Sequence, residues 1–171
     1  MLEWLVVVVV ALLAAVLLRQ YVVQTFFIPS GSMEPTLQIG DRIIVDKLAY
    51  DLHSIHRGDV VVFAKPPKET SAPGIKDLVK RIIGLPGDTV SSRNGDVYIN
   101  GKPLSEPWLP PIDRGVTVGI TKQVVPAGDY FVMGDNRTDS SDSRVFGPIS
   151  GALIVGRADM RVWPISRIGM L

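Results

Sequence analysis

The sequence predicts a mainly β protein, with a single N-terminal transmembrane helix followed by an all-β domain of short antiparallel strands. Three observations lead there. Trp4 to Leu18 is a run of fifteen uninterrupted apolar residues. From Phe26 onward the apolar period falls to two, the period of a strand with one buried face. Gly, Pro and Asn then punctuate the chain at short intervals, as in sandwiches and barrels.

A helix needs about 20 residues to cross a bilayer, and Tyr21-Val22-Val23 prolongs the apolar run past Arg19-Gln20. Arg19 would snorkel to the interface, with Trp4 and Tyr21 as aromatic belts. A cleaved export signal would carry basic residues ahead of the run and a small-residue site after it. Here Glu3 precedes the run, and no Ala-x-Ala pattern follows it. Residues 1–25 are therefore expected to form an uncleaved anchor, whose orientation the flanking charges encode only weakly, and residues 26–171 a β-domain with a small insertion at about 89–126.

Within that domain Arg42–Asp46 reads as a strand after Gly40-Asp41, and Val60–Phe63 as a buried strand after Arg57-Gly58-Asp59. Lys65–Gly74, rich in Pro and Lys, reads as a loop. Leu78–Gly84 is a strand stopped by Leu85-Pro86-Gly87-Asp88. Asn94-Gly95 predicts a hairpin between Thr89–Ser91 and Val97–Ile99, and Asn100-Gly101 a second turn. Pro103–Pro111 is too proline-rich for a central strand. Tyr130–Met133 and Ala152–Gly156 complete the set, in a Greek-key or barrel-like arrangement.

Composition removes several functions. Eighteen Lys and Arg stand against seventeen Asp and Glu, and the basic residues are scattered, so no nucleic-acid face is built. The absence of cysteine removes disulfides, thiolate metal sites and a cysteine nucleophile. No His-x-x-x-His spacing, phosphate loop or Ser-x-x-Lys pattern occurs, and neither metal nor cofactor is expected.

Chemistry points to Pro29-Ser30-Gly31-Ser32-Met33-Glu34-Pro35-Thr36-Leu37, two serines around a glycine in a stiff loop between prolines. A nucleophilic serine needs a base. His53 and His56 lie in a polar connection with no orienting carboxylate in a defined geometry, and read as solvated loop residues. Lys80 is the unusual lysine, set between Leu78-Val79 and Ile82-Ile83. Desolvation there would lower its pKa from a reference of about 10.4, and a neutral amine can accept a serine proton. A snorkelling edge-strand lysine fits the same spacing, so the spacing leaves both readings open.

Three blocks resemble bacterial type I signal peptidases, membrane-bound serine proteases with a Ser-Lys dyad. They are Pro29–Leu37 continuing to Gly40-Asp41, Val79–Asp88, and Met133–Arg144, and the match runs from the anchor to Pro148. The resemblance implies Ser32 as nucleophile, Lys80 as general base, and the Ser30 hydroxyl with the Ser32 N–H as oxyanion hole. It implies Ser140 as the serine that orients the lysine, with Asp135, Asp142, Arg144 and Arg81 as supporting charges. Phe26, Ile28, Leu37 and Val79 fall on apolar positions of the substrate pockets. The implied substrates are preproteins bound as an extended strand and cut after Ala-x-Ala-like sites, next to the lipid bilayer and the export translocon. The short stretch from Thr89 to Pro126 resembles the compact, single-anchor branch of the family. Two other readings share features: a self-cleaving Ser-Lys repressor-type protease, and an inactive membrane-tethered binding module on the same fold.

Overall fold

The structure, a computed structural model, describes residues 2–71, 73–117 and 119–171. It opens with helix α1, Leu2–Tyr21, whose described side chains are those of residues 3–13 and 16. The apolar ones among these are exposed; Trp4 is the extreme at 76%. Among the described residues no helix is long and apolar enough to cross a membrane. The side chains of Arg19 and Tyr21, expected at an interface, lie outside the described residues.

Beyond α1 the described chain is built mainly of antiparallel strands. The first are β1 (Val23–Phe27), β2 (Arg42–Asp46), β3 (Val60–Ala64) and β4 (Asp77–Gly84). Next come β5 (Thr89–Arg93), β6 (Asp96–Ile99), β7 (Lys102–Pro103) and β8 (Gln123–Val124). The last are β9 (Asp129–Met133), β10 (Ile149–Ser150), β11 (Ile154–Trp163) and β12 (Gly169–Met170). Two one-turn helices interrupt them, α2 (Ala49–Leu52) and α3 (Ser143–Phe146). The larger sheet runs β1-β2-β11-β3-β4-β9-β10, with β12 on β11, and the smaller runs β7-β6-β5-β8.

Two differences from the sequence reading have physical causes. Strand pairing begins at Val23 against Asp46, ahead of Phe26, because polar Gln24 and Thr25 interrupt the apolar run and leave a short β-compatible stretch to pair with β2. The strand expected at Ala152–Gly156 instead runs Ile154–Trp163 after a 3-10 turn at Gly151–Leu153. Arg157, Asp159 and Arg161 break its apolar pattern, and register shifts at 158/160 and 161/163 break its alternation against β2. The expected turns are formed as read. Asn94 and Gly95 have φ of 52° and 87°, Asn100 and Gly101 51° and 79°, the left-handed pairs that tight hairpins require.

β3 shows why the larger sheet is covered on both faces. Val60 and Val62 pack with Ile28, Met33, Leu37, Ile43 and Val45 on one side. Val61 and Phe63 pack with Ile82, Val132, Phe146 and Ile149 on the other. A strand buried on both faces loses its polar alternation, which is why Val60–Phe63 reads as a continuous apolar run. The smaller sheet closes a further cluster of Ile83, Val90, Val97, Ile99, Phe131 and Met133.

β9 pairs with β4 from Arg81 onward, opposite Met133, so Asp77–Lys80 has β3 on one side only. Residues of β1 and of this stretch line one cavity, although they stand first and fifth in the strand order. The sheet is thus rolled, and the cavity lies between the two strand edges.

Gly156 sits where β11 crosses β2, and a Cβ there would lie 2.3 Å from the Asp46 carbonyl oxygen. Gly156→Ala is expected to destabilise the domain by about 1–3 kcal/mol through backbone displacement. A lowered urea midpoint at unchanged slope is the readout.

Candidate active site

The loop from Ile28 to Asp41 is closed at its base by Ile28 N–H donating to the Asp41 carbonyl and Gly40 N–H to the Ile28 carbonyl, both at 2.9 Å. Gly40 takes φ +92°, a region that side chains resist. Met33 and Leu37 are buried in the core and anchor the loop from below. From above, Asn136 N–H donates to the Ser32 carbonyl at 3.2 Å, and Asn136 Nδ2 to the Gly31 carbonyl at 3.2 Å. Ser32 is therefore held by its backbone on both sides.

Lys80 is 3% exposed and its Nζ donates to Ser32 Oγ at 2.5 Å. β4 makes this possible by alternation: Lys80 is on the face of Leu78 and Ile82, which pack into the core, while Val79 faces the opposite cluster. Desolvation lowers the Lys80 amine from the ordinary lysine range to about 8. The carboxylates of Asp142, Glu69 and Asp135 oppose that shift, and the Arg144 guanidinium adds to it. Burial decides between the two readings that the spacing left open: at 3% exposure Lys80 does not snorkel to solvent, although its stretch of β4 is paired on one side only.

The third block braces the other two. Arg81 donates to Asp135 through Nε at 2.8 Å and Nη2 at 2.6 Å, and Thr36 Oγ1 donates to the same carboxylate at 2.5 Å. The Arg81 guanidinium also lies over the Trp108 ring, 4.9 Å from its centroid. Buried Asp142 accepts from Gly134 N–H at 2.9 Å and from Arg144 Nε and Nη2 at 2.8 and 2.7 Å. Gly134 is packed so closely that a Cβ would lie 2.3 Å from both the Ser32 carbonyl oxygen and Ser140 Oγ.

Ser140 shares a cavity with Ser32 and Lys80, but its buried Oγ has no hydrogen-bond partner. The Ser140–Lys80 bond implied by the resemblance is not formed here, where Lys80 Nζ is directed at Ser32.

Two cavities meet at Ser30, Ser32, Leu78 and Lys80. The smaller, about 200 Å³, is walled by Phe26, Ile28, Met33 and Val79. The larger, about 760 Å³, adds Glu69, Ser71 and Ser140. Of the four residues that the resemblance assigns to substrate pockets, Phe26, Ile28 and Val79 line the smaller cavity, whereas Leu37 is wholly buried and lines neither. Ser30 is exposed at the junction of the two. His53 and His56 are exposed and line neither.

Other contributors carried no assigned role in the sequence reading. Asn136 lies inside the third block. Buried Arg137 pairs with Glu106, donating through Nη1 to Oε2 at 3.0 Å, and reaches Thr117 Oγ1 at 2.9 Å, which ties the site to the 104–117 loop. Glu69, from the Pro/Lys loop, shows no periodicity or motif that would have marked it.

The family model described as "Signal peptidase, peptidase S26" matches residues 1–163. A probable signal peptidase I-2 of Synechocystis sp. is 44% identical over 166 residues, covering 95% of this chain and 73% of that relative. A signal peptidase I of Bacillus caldolyticus is 41% identical over 169 residues, covering 92% and 89%. The crystal structure of a signal peptidase I from Enterococcus faecalis matches with TM-score 0.50 at 35% identity, over 61% of this chain and 97% of that one. The class is that of the serine endopeptidases, hydrolases of internal peptide bonds. Within it, the chain belongs to the signal peptidase family, peptidase S26.

Burying an amine among apolar groups costs stability while it is charged. The unfolded chain binds more protons than the folded one between pH of about 8 and 10.5, so this cost is full below 8 and fades above it. Lys80→Met is expected to raise Tm by a few degrees at pH 7, by about 2–8 °C for each kcal/mol gained. The gap to wild type should narrow as pH rises through 8 toward 10.5. Calorimetry at pH 7 and pH 10 tests the sign.

Proposed function

We propose that the protein is a membrane-bound endopeptidase that removes signal peptides from exported preproteins after Ala-x-Ala-like sites, with Ser32 and Lys80 as its catalytic dyad. The observation that carries this reading is the 2.5 Å contact between Ser32 Oγ and a buried Lys80 Nζ. With the amine neutral, the same pair of atoms carries its proton as O–H to N. Lys80 takes that proton while Ser32 Oγ attacks the scissile carbonyl carbon, forming a tetrahedral intermediate. Its oxyanion is met by the Ser30 hydroxyl and the Ser32 N–H, donors of a kind whose single loss costs about 10²–10³ in rate. Lys80, now an ammonium, returns the proton to the leaving amine as the C–N bond breaks. Water then hydrolyses the Ser32 ester, with Lys80 again the base.

Ser140 enters at the ester stage. Once acylation removes the Ser32 hydroxyl as a partner, the unpaired Ser140 Oγ is the acceptor in the same cavity for the Lys80 ammonium. Asp135, Asp142, Arg81 and Arg144 hold the blocks together. The substrate's acyl side is placed along the open edge of Asp77–Lys80, with its small side chains in the cavity of Phe26, Ile28 and Val79.

Residues 1–25 serve as a single-pass anchor, with residues 26–171 extracytoplasmic. Support comes from α1, twenty residues and about 30 Å long, whose described apolar side chains are exposed. Phe27, Ile39, Trp163, Ile165 and Ile168 are also exposed and give the β-domain apolar surface of its own. Such surface suits a lipid face, next to which preproteins and the translocon would lie.

Ser32→Ala and Lys80→Ala are each expected to lower the cleavage of a detergent-presented preprotein by at least about 10³-fold, whereas wild-type rates in both would remove the dyad. For the wild type, kcat/KM should rise with pH through about 8, as Lys80 loses its proton. Full-length protein is expected in the pellet after alkaline carbonate extraction of membranes, and its release into the supernatant would rule out the anchor.

A further inference from the structure

Glu69 is a buried carboxylate in the site for which the chemistry above has no use. It comes from the loop between β3 and β4, is 3% exposed, and lines the larger cavity with Ser32, Lys80 and Ser140. Its Oε1 accepts from Ser71 N–H at 2.6 Å and from Ser71 Oγ at 2.5 Å, and its Oε2 accepts from Ser141 Oγ. The Ser141 bond spans 72 positions of sequence and joins the β3–β4 loop to the residue next to Ser140.

A carboxylate this buried is costly unless bonded and opposed by a positive charge. Serine hydroxyls and an N–H supply the bonds but no charge. Lys80 is the cationic side chain among the described residues that line the cavity.

We propose that Glu69 is a positioning residue for the Ser32–Lys80 reaction. It clasps the 139–141 segment over the lysine through Ser141, and its negative charge stabilises the Lys80 ammonium formed when Ser32 gives up its proton. The proposal rests on the dyad reading and adds a third ionisable member to it.

Two other carboxylates face Lys80, each tied to an arginine. Asp142 favours the ammonium more strongly than Glu69 does but is bidentate to Arg144, whose charge acts in the opposite sense, and Asp135, bidentate to Arg81, favours it less. Among the described residues, the hydrogen bonds to Glu69 come from Ser71 and Ser141 and none from a guanidinium. Burial raises its carboxyl pKa, but the bonds from Ser141 and Ser71 outweigh burial and hold it below the usual range, so it stays ionised at working pH.

The test compares Glu69→Gln, Glu69→Asp and Ser141→Ala in the full-length protein, following kcat/KM for one preprotein against pH. Glu69→Gln keeps the shape and removes the charge. Its acidic limb is expected to move down by about half a pH unit or more, as a charge removed within about 10 Å would cause, with a lower plateau. Glu69→Asp and Ser141→Ala retain the charge, so their limbs should stay in place while the plateau falls. Should the amide not fold, Glu69→Ala provides the same comparison. An unmoved limb in the charge-removing variant, or an equal movement in all three, overturns the proposal. A wild type that does not cleave, or that lacks a limb near 8, instead overturns the dyad reading beneath it.

Discussion

On the Asp135 carboxylate three segments of chain meet. Arg81 reaches it from β4, Thr36 from the loop after Ser32, and Asp135 itself stands just beyond the end of β9. The Arg81 and Asp135 side chains are 5% and 0% exposed, so the pair is desolvated and the loss of one partner would leave a buried charge unmatched, at a cost of about 3–5 kcal/mol. Neighbouring Asn136 takes hold of the Gly31 and Ser32 carbonyls. The distance between the serine hydroxyl and the lysine amine is thus set by a bonded frame behind them, not by their own contact. Such a frame can hold an amine that would otherwise swing to solvent.

In the proposed reading, Lys80 places the stability cost and the chemistry on one atom. The central strand that desolvates Nζ is the same one that brings it to Ser32 Oγ, and neither can be changed without the other. The surrounding carboxylates moderate the shift, and the amine stays near a pKa of about 8, where it can both take and return a proton.

How much of this was legible in the sequence depends on whether the signal was local. The strand at Arg42–Asp46 and the Asn-Gly turns follow from neighbouring residues, and they lie where they were read. Ser32 and Lys80 stood out by motif and by an ammonium set among apolar neighbours. β11 was read short because charged residues and register shifts hide its period. Leu37 looked like pocket lining, yet it sits beneath the loop as core, since an apolar residue near a site carries no mark of which way it faces. Ser140 stood in the third block, but its missing bond is a matter of side-chain geometry. Glu69 was illegible for the plainest reason: a glutamate in a Pro/Lys loop looks solvated until the fold covers it.

The bonds around Ser32 join residues far apart along the chain: 48 positions to Lys80, 99 between Thr36 and Asp135, and 105 between Gly31 and Asn136. Contacts of such range form late, because loop-closure entropy opposes them until the rest of the sheet is paired. A nascent chain ending before Asp135 holds the serine and the lysine but none of the hydrogen bonds that Asp135 and Asn136 make to the serine loop. If Ser32 and Lys80 are the proposed dyad, completing the fold and switching on the reagent are a single event, and a partly made copy carries no armed hydroxyl.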